Sequence, residues 1–271
     1  MTPAAEVTLA GERLDRAATL FRATGLCKDF GGVRAVRDIS FDIVPGVVFA
    51  VIGPNGAGKS TLLNLISGIY QPDAGTMSLD GVDLVGMSAQ RRVQHGLART
   101  FQKIRLFKQL SALENVIAGY HTRHAIPAWQ YVLHGAAFRE DARQCRDEAI
   151  ELLNFIGLKH RAHITAGALA YGEQRLLEIA RALATAPRLL MIDEPAAGLN
   201  PAEVAALLRR ITSLRDRGVT LLLVEHNMDL VMNVADRILV MDYGQQLFMG
   251  APADVQAHPD VIAAYLGANV L

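Results

Sequence analysis

The chain has 271 residues, 51% of them apolar and 20% charged, with 27 Lys plus Arg against 27 Asp plus Glu. That profile fits one large packed domain, or one domain with an inserted subdomain, and a formal net charge of zero gives no electrostatic footprint for nucleic acid. No run approaches the roughly 20 apolar residues of a membrane-spanning helix, and Cys27 and Cys145 have neither zinc-site spacing nor a disulfide framework, so they read as thiols of a reduced compartment.

Residues 1–20 contain Glu6, Glu12 and Asp15 and no apolar stretch of signal-peptide type, and they read as an N-terminal tail before a domain over 21–271. From Thr24 to Leu84, short β-like segments alternate with Gly and Pro turns: a strand at 38–43, a turn at Pro45-Gly46, a strand at 47–52. A helix is expected to begin within Gly58-Lys59-Ser60-Thr61, to run through Leu62, Leu65 and Ile66, and to stop at Gly68. Residues 88–167 look helical, with few β-branched runs, and mark an inserted subdomain at roughly 103–168. Within it Ser111 and Glu114 have capping-box spacing, so Glu114 is a cap partner. Ala149, Leu152, Leu153 and Ile156 form a helical stripe closed by Gly157. The stretch 121–139, with Trp129 and Tyr131, reads as an insert, and its His121 and His124 lack a third metal ligand. From Arg188 onward strands and helices alternate again. The runs 189–192, 219–224 and 238–241, like 47–52, are short and rich in branched residues, as buried parallel strands are.

Gly53-Pro54-Asn55-Gly56-Ala57-Gly58-Lys59-Ser60 fits the G-x-x-x-x-G-K-[ST] phosphate loop, between a buried strand and a helix. Glycines let backbone N–H groups turn inward around a β-phosphate, and the helix adds its positive dipole end. Lys59 supplies a point charge for the β- and γ-phosphates, Ser60 a hydroxyl for Mg²⁺, and Thr61 a donor for the α-phosphate. The strand at 189–192 ends in Asp193 and Glu194. Asp193 is then positioned to hold Mg²⁺ through water, and Glu194 to polarise a water for attack on the γ-phosphate.

With these motifs the chain resembles the ABC ATPases over nearly its whole length. Gln102, in Arg-Thr-Phe-Gln, looks like the Q-loop glutamine, which meets Mg²⁺ or the attacking water and carries movement to membrane subunits. Leu169-Ala170-Tyr171-Gly172-Glu173-Gln174 looks like the signature motif, Ala197-Gly198-Leu199-Asn200 the D-loop, His226 the switch histidine, and Phe30 the aromatic that stacks on adenine. Taken singly, His226 would be a strand-end histidine and Phe30 a core residue. Asn200, Pro201 and Glu203 also make a good helix start as N-cap, N1 and N3. The ordered set carries the resemblance. Ala170 and Tyr171 stand where serine and glycine are common, which weakens one hydrogen bond by about 1 kcal/mol, and Asn200 stands where aspartate is common.

The resemblance implies an α/β fold: a P-loop NTPase core of ABC type with an antiparallel β subdomain and an inserted α-helical subdomain. Arg-Leu-Phe after Gln102, the signature as written, Asp-Glu-Pro-Ala-Ala-Gly-Leu-Asn-Pro and the tail over 260–267 are similar to the first ATPase of high-affinity branched-chain amino-acid importers. That similarity implies ATP and Mg²⁺ as cofactors and a second ABC ATPase facing this one head to tail, or a homodimer in isolation. It implies two membrane permeases, a periplasmic binding protein that chooses the cargo, and a place on the cytoplasmic face of the inner membrane. Relatives of this shape serve amides, urea and aromatic acids too. A non-transport ABC ATPase and a weakly hydrolysing partner subunit are the rival readings.

Overall fold

The structure is a computed structural model that describes residues 19–120, 122 and 136–267. Residues 1–18 of the expected tail, and most of the 121–139 insert with His121 and His124, lie outside the described residues.

Two sheets divide the strands by their burial pattern. Strand β1 (Phe21–Phe30) and strand β2 (Val33–Ile43) form an antiparallel hairpin, extended by β4 (Ala74–Leu79) and β5 (Val82–Asp83) in the order β2-β1-β4-β5. Their buried residues, Phe21, Ala23 and Leu26 against Ile39, Phe41 and Ile43, alternate with exposed ones, as a sheet with one covered face requires. The second sheet has the order β10-β9-β3-β8-β7-β6. It comprises β3 (Val48–Ile52), β6 (Leu97–Arg99), β7 (Leu189–Asp193), β8 (Thr220–Val224), β9 (Arg237–Asp242) and β10 (Gln245–Gly250). Every residue of β3, β7 and β8 is buried, because one face packs against the antiparallel sheet and the helix that follows β3, and the other against the helices over Pro201–Asp216 and Met228–Val234. These are the parallel strands expected from the branched runs; β10 alone in this sheet pairs antiparallel. Strand β6 lies inside a stretch read from sequence as helical. Three residues show no period, and their extended form comes from pairing with β7.

Helix α1 (Lys59–Ser67) follows β3 and stops at Gly68 in the left-handed region (φ 80°). Its last carbonyls meet a guanidinium. Arg92, on helix α2 (Ala89–Gln94) and fully buried, donates from Nη1 to the Leu65 and Ile66 carbonyls at 2.6 and 2.8 Å, from Nη2 to Leu84 O at 2.7 Å, and from Nε to Met87 O at 3.1 Å. A cation here satisfies orphan carbonyls and complements the negative end of α1.

The helical region contains α3 (Ala112–Tyr120), α4 (Ala136–Phe155) and α5 (Tyr171–Leu183). The Ser111–Glu114 box forms: Glu114 accepts from the Ser111 N–H at 2.7 Å, and Ser111 Oγ accepts from the Glu114 N–H at 3.2 Å. Leu113 and Val116 of α3, Ala149, Leu153 and Ile156 of the expected stripe, and Leu177 and Ala180 of α5 make one apolar core. Gly119 lets α3 and α5 approach: a Cβ there would sit 2.4 Å from the Arg181 carbonyl oxygen. The rest of the chain gives α6 (Pro201–Asp216), α7 (Met228–Val234), α8 (Pro252–Ala257) and α9 (Pro259–Gly267). Helix α6 opens on Asn200, whose Oδ1 accepts from the Ala202 and Glu203 N–H groups.

Candidate nucleotide site

Parallel pairing of β6, β7, β8 and β3 aims their carboxyl ends at one edge of the sheet, where open α/β folds bind ligands. The segments that leave there are Gly53 onward from β3, Thr100 to Gln102 from β6, Glu194 from β7, and Glu225 with His226 from β8. Motifs separated by up to about 170 residues in the chain meet for this reason.

The phosphate loop is tightly held. Lys59, 7% exposed, folds back to donate to the Gly53 and Pro54 carbonyls at 2.7 and 2.9 Å. Burial lowers its pKa, while Glu194 and Asp193 act to raise it, so both carboxylates lie within electrostatic reach of the ammonium. Gly58 is the N-cap of α1 at φ 95°, and a Cβ there would meet the Ala35 carbonyl oxygen at 2.3 Å. Helix α1 has no side-chain cap and no acid in its first turn. Among the described residues, then, no side chain caps its first amides and no first-turn acid offsets the dipole end, which fits a polyphosphate. Ser60 and Thr61 lie in that first turn.

Gln102 and His226 converge on Glu194. Glu194 has φ 44°, left-handed for a non-glycine residue, a conformation that needs support from its surroundings. Its N–H donates to Val224 O at 2.8 Å. Gln102 Nε2 donates to Glu194 Oε2 at 2.7 Å, and His226 Nδ1 lies 4.0 Å from Glu194 Oε1. Asp193 is 6% exposed and pairs through Oδ2 with Arg99 Nη2 at 2.9 Å.

Two residues that organise this edge were not singled out from sequence. Arg99 also donates from Nη1 to Asn64 Oδ1 at 2.7 Å and Ser67 Oγ at 3.0 Å, so one buried guanidinium ties α1 to the end of β7. Glu225, fully buried, accepts from the backbone N–H of Ala196, His226 and Asn227 at 2.8, 2.9 and 3.0 Å. Its carboxylate thereby fastens the loop after Glu194 to the loop carrying His226. The available signal was position: each is a charged residue at the carboxyl end of an apolar strand.

Signature and D-loop touch each other. Leu169 is buried, and Ala170 is the N-cap of α5. Glu173 accepts from the Ala170 N–H at 3.0 Å, but the alanine side chain has no oxygen to return the bond. Gln174 Nε2 donates to Leu169 O at 2.8 Å. The Tyr171 ring lies against Gly198, where a Cβ would be 3.3 Å from it, and a Cβ on Gly172 would meet Glu203 Oε1 at 2.5 Å. Among the described residues no hydrogen bond or ion pair joins 169–174 to 53–61. Phe30 ends β1, 41% exposed, edge-on to Tyr70 with ring centroids 5.2 Å apart.

A parallel sheet with a lysine-bearing phosphate loop and an Asp-Glu pair beside it defines a P-loop ATPase. The profile described as "ABC transporter" matches residues 36–197, and one described as "Branched-chain amino acid ATP-binding cassette transporter" matches 245–270. The chain belongs to the ABC transporter ATP-binding family, within the group of branched-chain amino-acid transport ATP-binding proteins, and it is an ATP-binding and ATP-hydrolysing subunit.

It is 42% identical over 249 residues to the high-affinity branched-chain amino acid transport ATP-binding protein BraF of Pseudomonas aeruginosa, covering 92% of this chain and 98% of that one. The same figures, 42% over 249 residues with 92% and 98% covered, hold for LivG of Escherichia coli K12. A solved ATP-binding cassette of an ABC transporter in its ADP conformation superposes with a TM-score of 0.79 at 30% identity, covering 92% of this chain and 99% of that one. A nucleotide-free ATP-binding cassette gives 0.79 at 30% identity, covering 91% and 98%. Among the described residues no helix is long and apolar enough to cross a membrane.

Proposed function

We propose that this chain powers the uptake of branched-chain or related amino acids through separate membrane permeases, working on the cytoplasmic face of the membrane. One observation carries the catalytic part: Gln102 and His226 approach opposite oxygens of Glu194, at 2.7 and 4.0 Å, on the edge that also holds Lys59. In this reading ATP's phosphates take the amides of 56–61 and the Lys59 ammonium, which gives up its bonds to the Gly53 and Pro54 carbonyls. Phe30 stacks on the adenine. Glu194 orients and polarises the attacking water, with Gln102 and His226 fixing its carboxylate and the water. The reaction needs mainly positioning and charge stabilisation.

Mg²⁺ suits the donor set. Ser60, Gln102 and Asp193 are few protein ligands, and among the described residues no cluster of three or more His, Cys, Asp or Glu competes as a cage. An ion that keeps waters and phosphate oxygens prefers such a site, and it would supply charge neutralisation there. Residues 169–174 make no bond to this chain's own phosphate loop, which supports a site completed by a second ATPase subunit facing it head to tail, with Ala197 to Asn200 alongside the seam. The amino-acid cargo rests on the likeness to BraF and LivG and on the matched segment 245–270. Two permeases and a periplasmic binding protein follow as partners.

The test is Glu194→Gln in the complex isolated from its native membrane. ATP binding should persist while hydrolysis falls by about 10²–10⁴-fold, the range for losing a general base, and leucine uptake should stop. Parental turnover in that variant would overturn Glu194 as the base. Co-purification without any multi-span permease would overturn the transport role.

A further inference from the structure

Arg175 and Glu178 face one another one turn apart on α5, 0% and 1% exposed, with no part in the phosphate chemistry above. Such a pair in an interior is ordinarily neutral or costly beside apolar residues of the same size. Burial here pushes the Glu178 pKa up, against the opposing pull of the Arg105 N–H, Arg175 and Arg181. Their mutual contact is a single 3.2 Å bond from Arg175 Nη1 to Glu178 Oε2, far from the two-bond fork that makes an arginine–carboxylate pair strong.

Their better bonds go elsewhere. Arg175 Nη1 donates to Phe101 O and Nη2 to Gln102 O, both at 2.7 Å, and Glu178 Oε1 accepts from the Arg105 N–H at 3.0 Å. Donors and acceptor thus grip the backbone on both sides of Gln102, more than 70 residues away in sequence. The Gln102 side chain is in turn bonded to Glu194, and Arg175 lies one residue beyond Gln174.

We infer that Arg175, seated by Glu178, is a positioning residue that locks the backbone of residues 101–105 to the signature helix, so that a shift of α5 resets Gln102 against Glu194. The inference rests on the proposed reading, in which residues 169–174 meet the nucleotide held by the opposing subunit. The lock then makes hydrolysis in this chain's own site depend on what occupies the other. A planar guanidinium is required because two adjacent carbonyls are held by two nitrogens of one rigid fork, which an ammonium cannot reproduce.

The experiment compares the full-length chain with R175M/E178L, which removes both charges and leaves no lone buried ion, and with R175K, which keeps charge but loses the fork. Hydrogen exchange of residues 101–106, affinity for a fluorescent ATP analogue, and ATP turnover are read on each. In R175M/E178L, exchange at 101–106 should rise about tenfold or more, as a tethered segment opens locally. Turnover should fall about tenfold, with KM and analogue affinity within about threefold, the pattern of a lost positioning contact. R175K should fall between the two on both readouts, and it remains decisive if the double variant does not fold. Unchanged exchange at 101–106 in either variant would overturn the lock, as would turnover that falls only in step with KM and melting temperature. A parent chain that binds no ATP analogue would overturn the nucleotide site itself and not the lock.

Discussion

Replacing Arg92 by methionine removes a guanidinium while keeping most of its apolar stem. Four backbone carbonyls, those of Leu65, Ile66, Leu84 and Met87, lose a donor. Leaving a buried polar group unpaired costs about 1–3 kcal/mol each, which summed without correction would exceed 4 kcal/mol. Two effects reduce it. Carbonyls have two lone pairs, and Leu65 O keeps its bond from the Gly68 N–H. The variant also escapes the cost of burying a cation, the same cost that lowers the Arg92 pKa. A net loss of about 4 kcal/mol follows, within the range for removing one member of a buried polar network. At about 2–4 °C per kcal/mol for a domain of this size, the melting temperature should drop by roughly 8–16 °C. Scanning calorimetry on the nucleotide-free chain measures it. Because Arg92 caps the end of α1 opposite to Lys59, affinity for ATP should fall only severalfold at temperatures where the variant is folded. A drop under about 2 °C would mean that the four carbonyls find water or new donors at no cost, and that Arg92 does not hold this junction.

Lys59→Ala should abolish nucleotide binding in equilibrium titration while leaving the melting temperature of the free chain nearly unchanged, because among the described residues Lys59 bonds only the Gly53 and Pro54 carbonyls. Gly119→Ala sets a methyl against the Arg181 carbonyl oxygen and should cost about 1–3 kcal/mol as overpacking, read as lowered protection of α3 and α5 in hydrogen exchange. Glu225→Gln keeps the shape but offers one acceptor oxygen where three N–H groups converge. It should cost about 1–3 kcal/mol and lower ATP turnover more than ATP affinity, since it loosens the loops of Glu194 and His226 together. Equal turnover in that variant and the parent would show that those loops are held by other contacts.

What the sequence carried best was local chemistry with a fixed spacing. The phosphate loop, the helix stop at Gly68, the Ser111–Glu114 box and the Asn200 start of α6 all depend on neighbours within a few residues, so residue types alone specify them. The buried strands were legible because a strand covered on both faces must be apolar throughout, as 47–52 and 189–192 are. Strand β6 was not legible, for its three residues take extended form only by pairing with β7, some 90 residues later.

The same division runs through the site. Lys59, Asp193, Glu194, Gln102 and His226 could be named one by one, each in its motif, but nothing in the motifs states a distance. The parallel order β3-β8-β7-β6 brings four loops to one edge and sets Gln102 and His226 on either side of Glu194. Arg92, Arg99, Arg175 and Glu225 show the limit most clearly. A charged residue in a linear pattern reads as solvated, and only the folded chain decides that it is buried, because its partners are carbonyls, amides and carboxylates supplied by other segments. Residue types mark groups suited to this chemistry, and the fold sets which of them meet, since a backbone bond between distant segments leaves no trace in the residue types that make it.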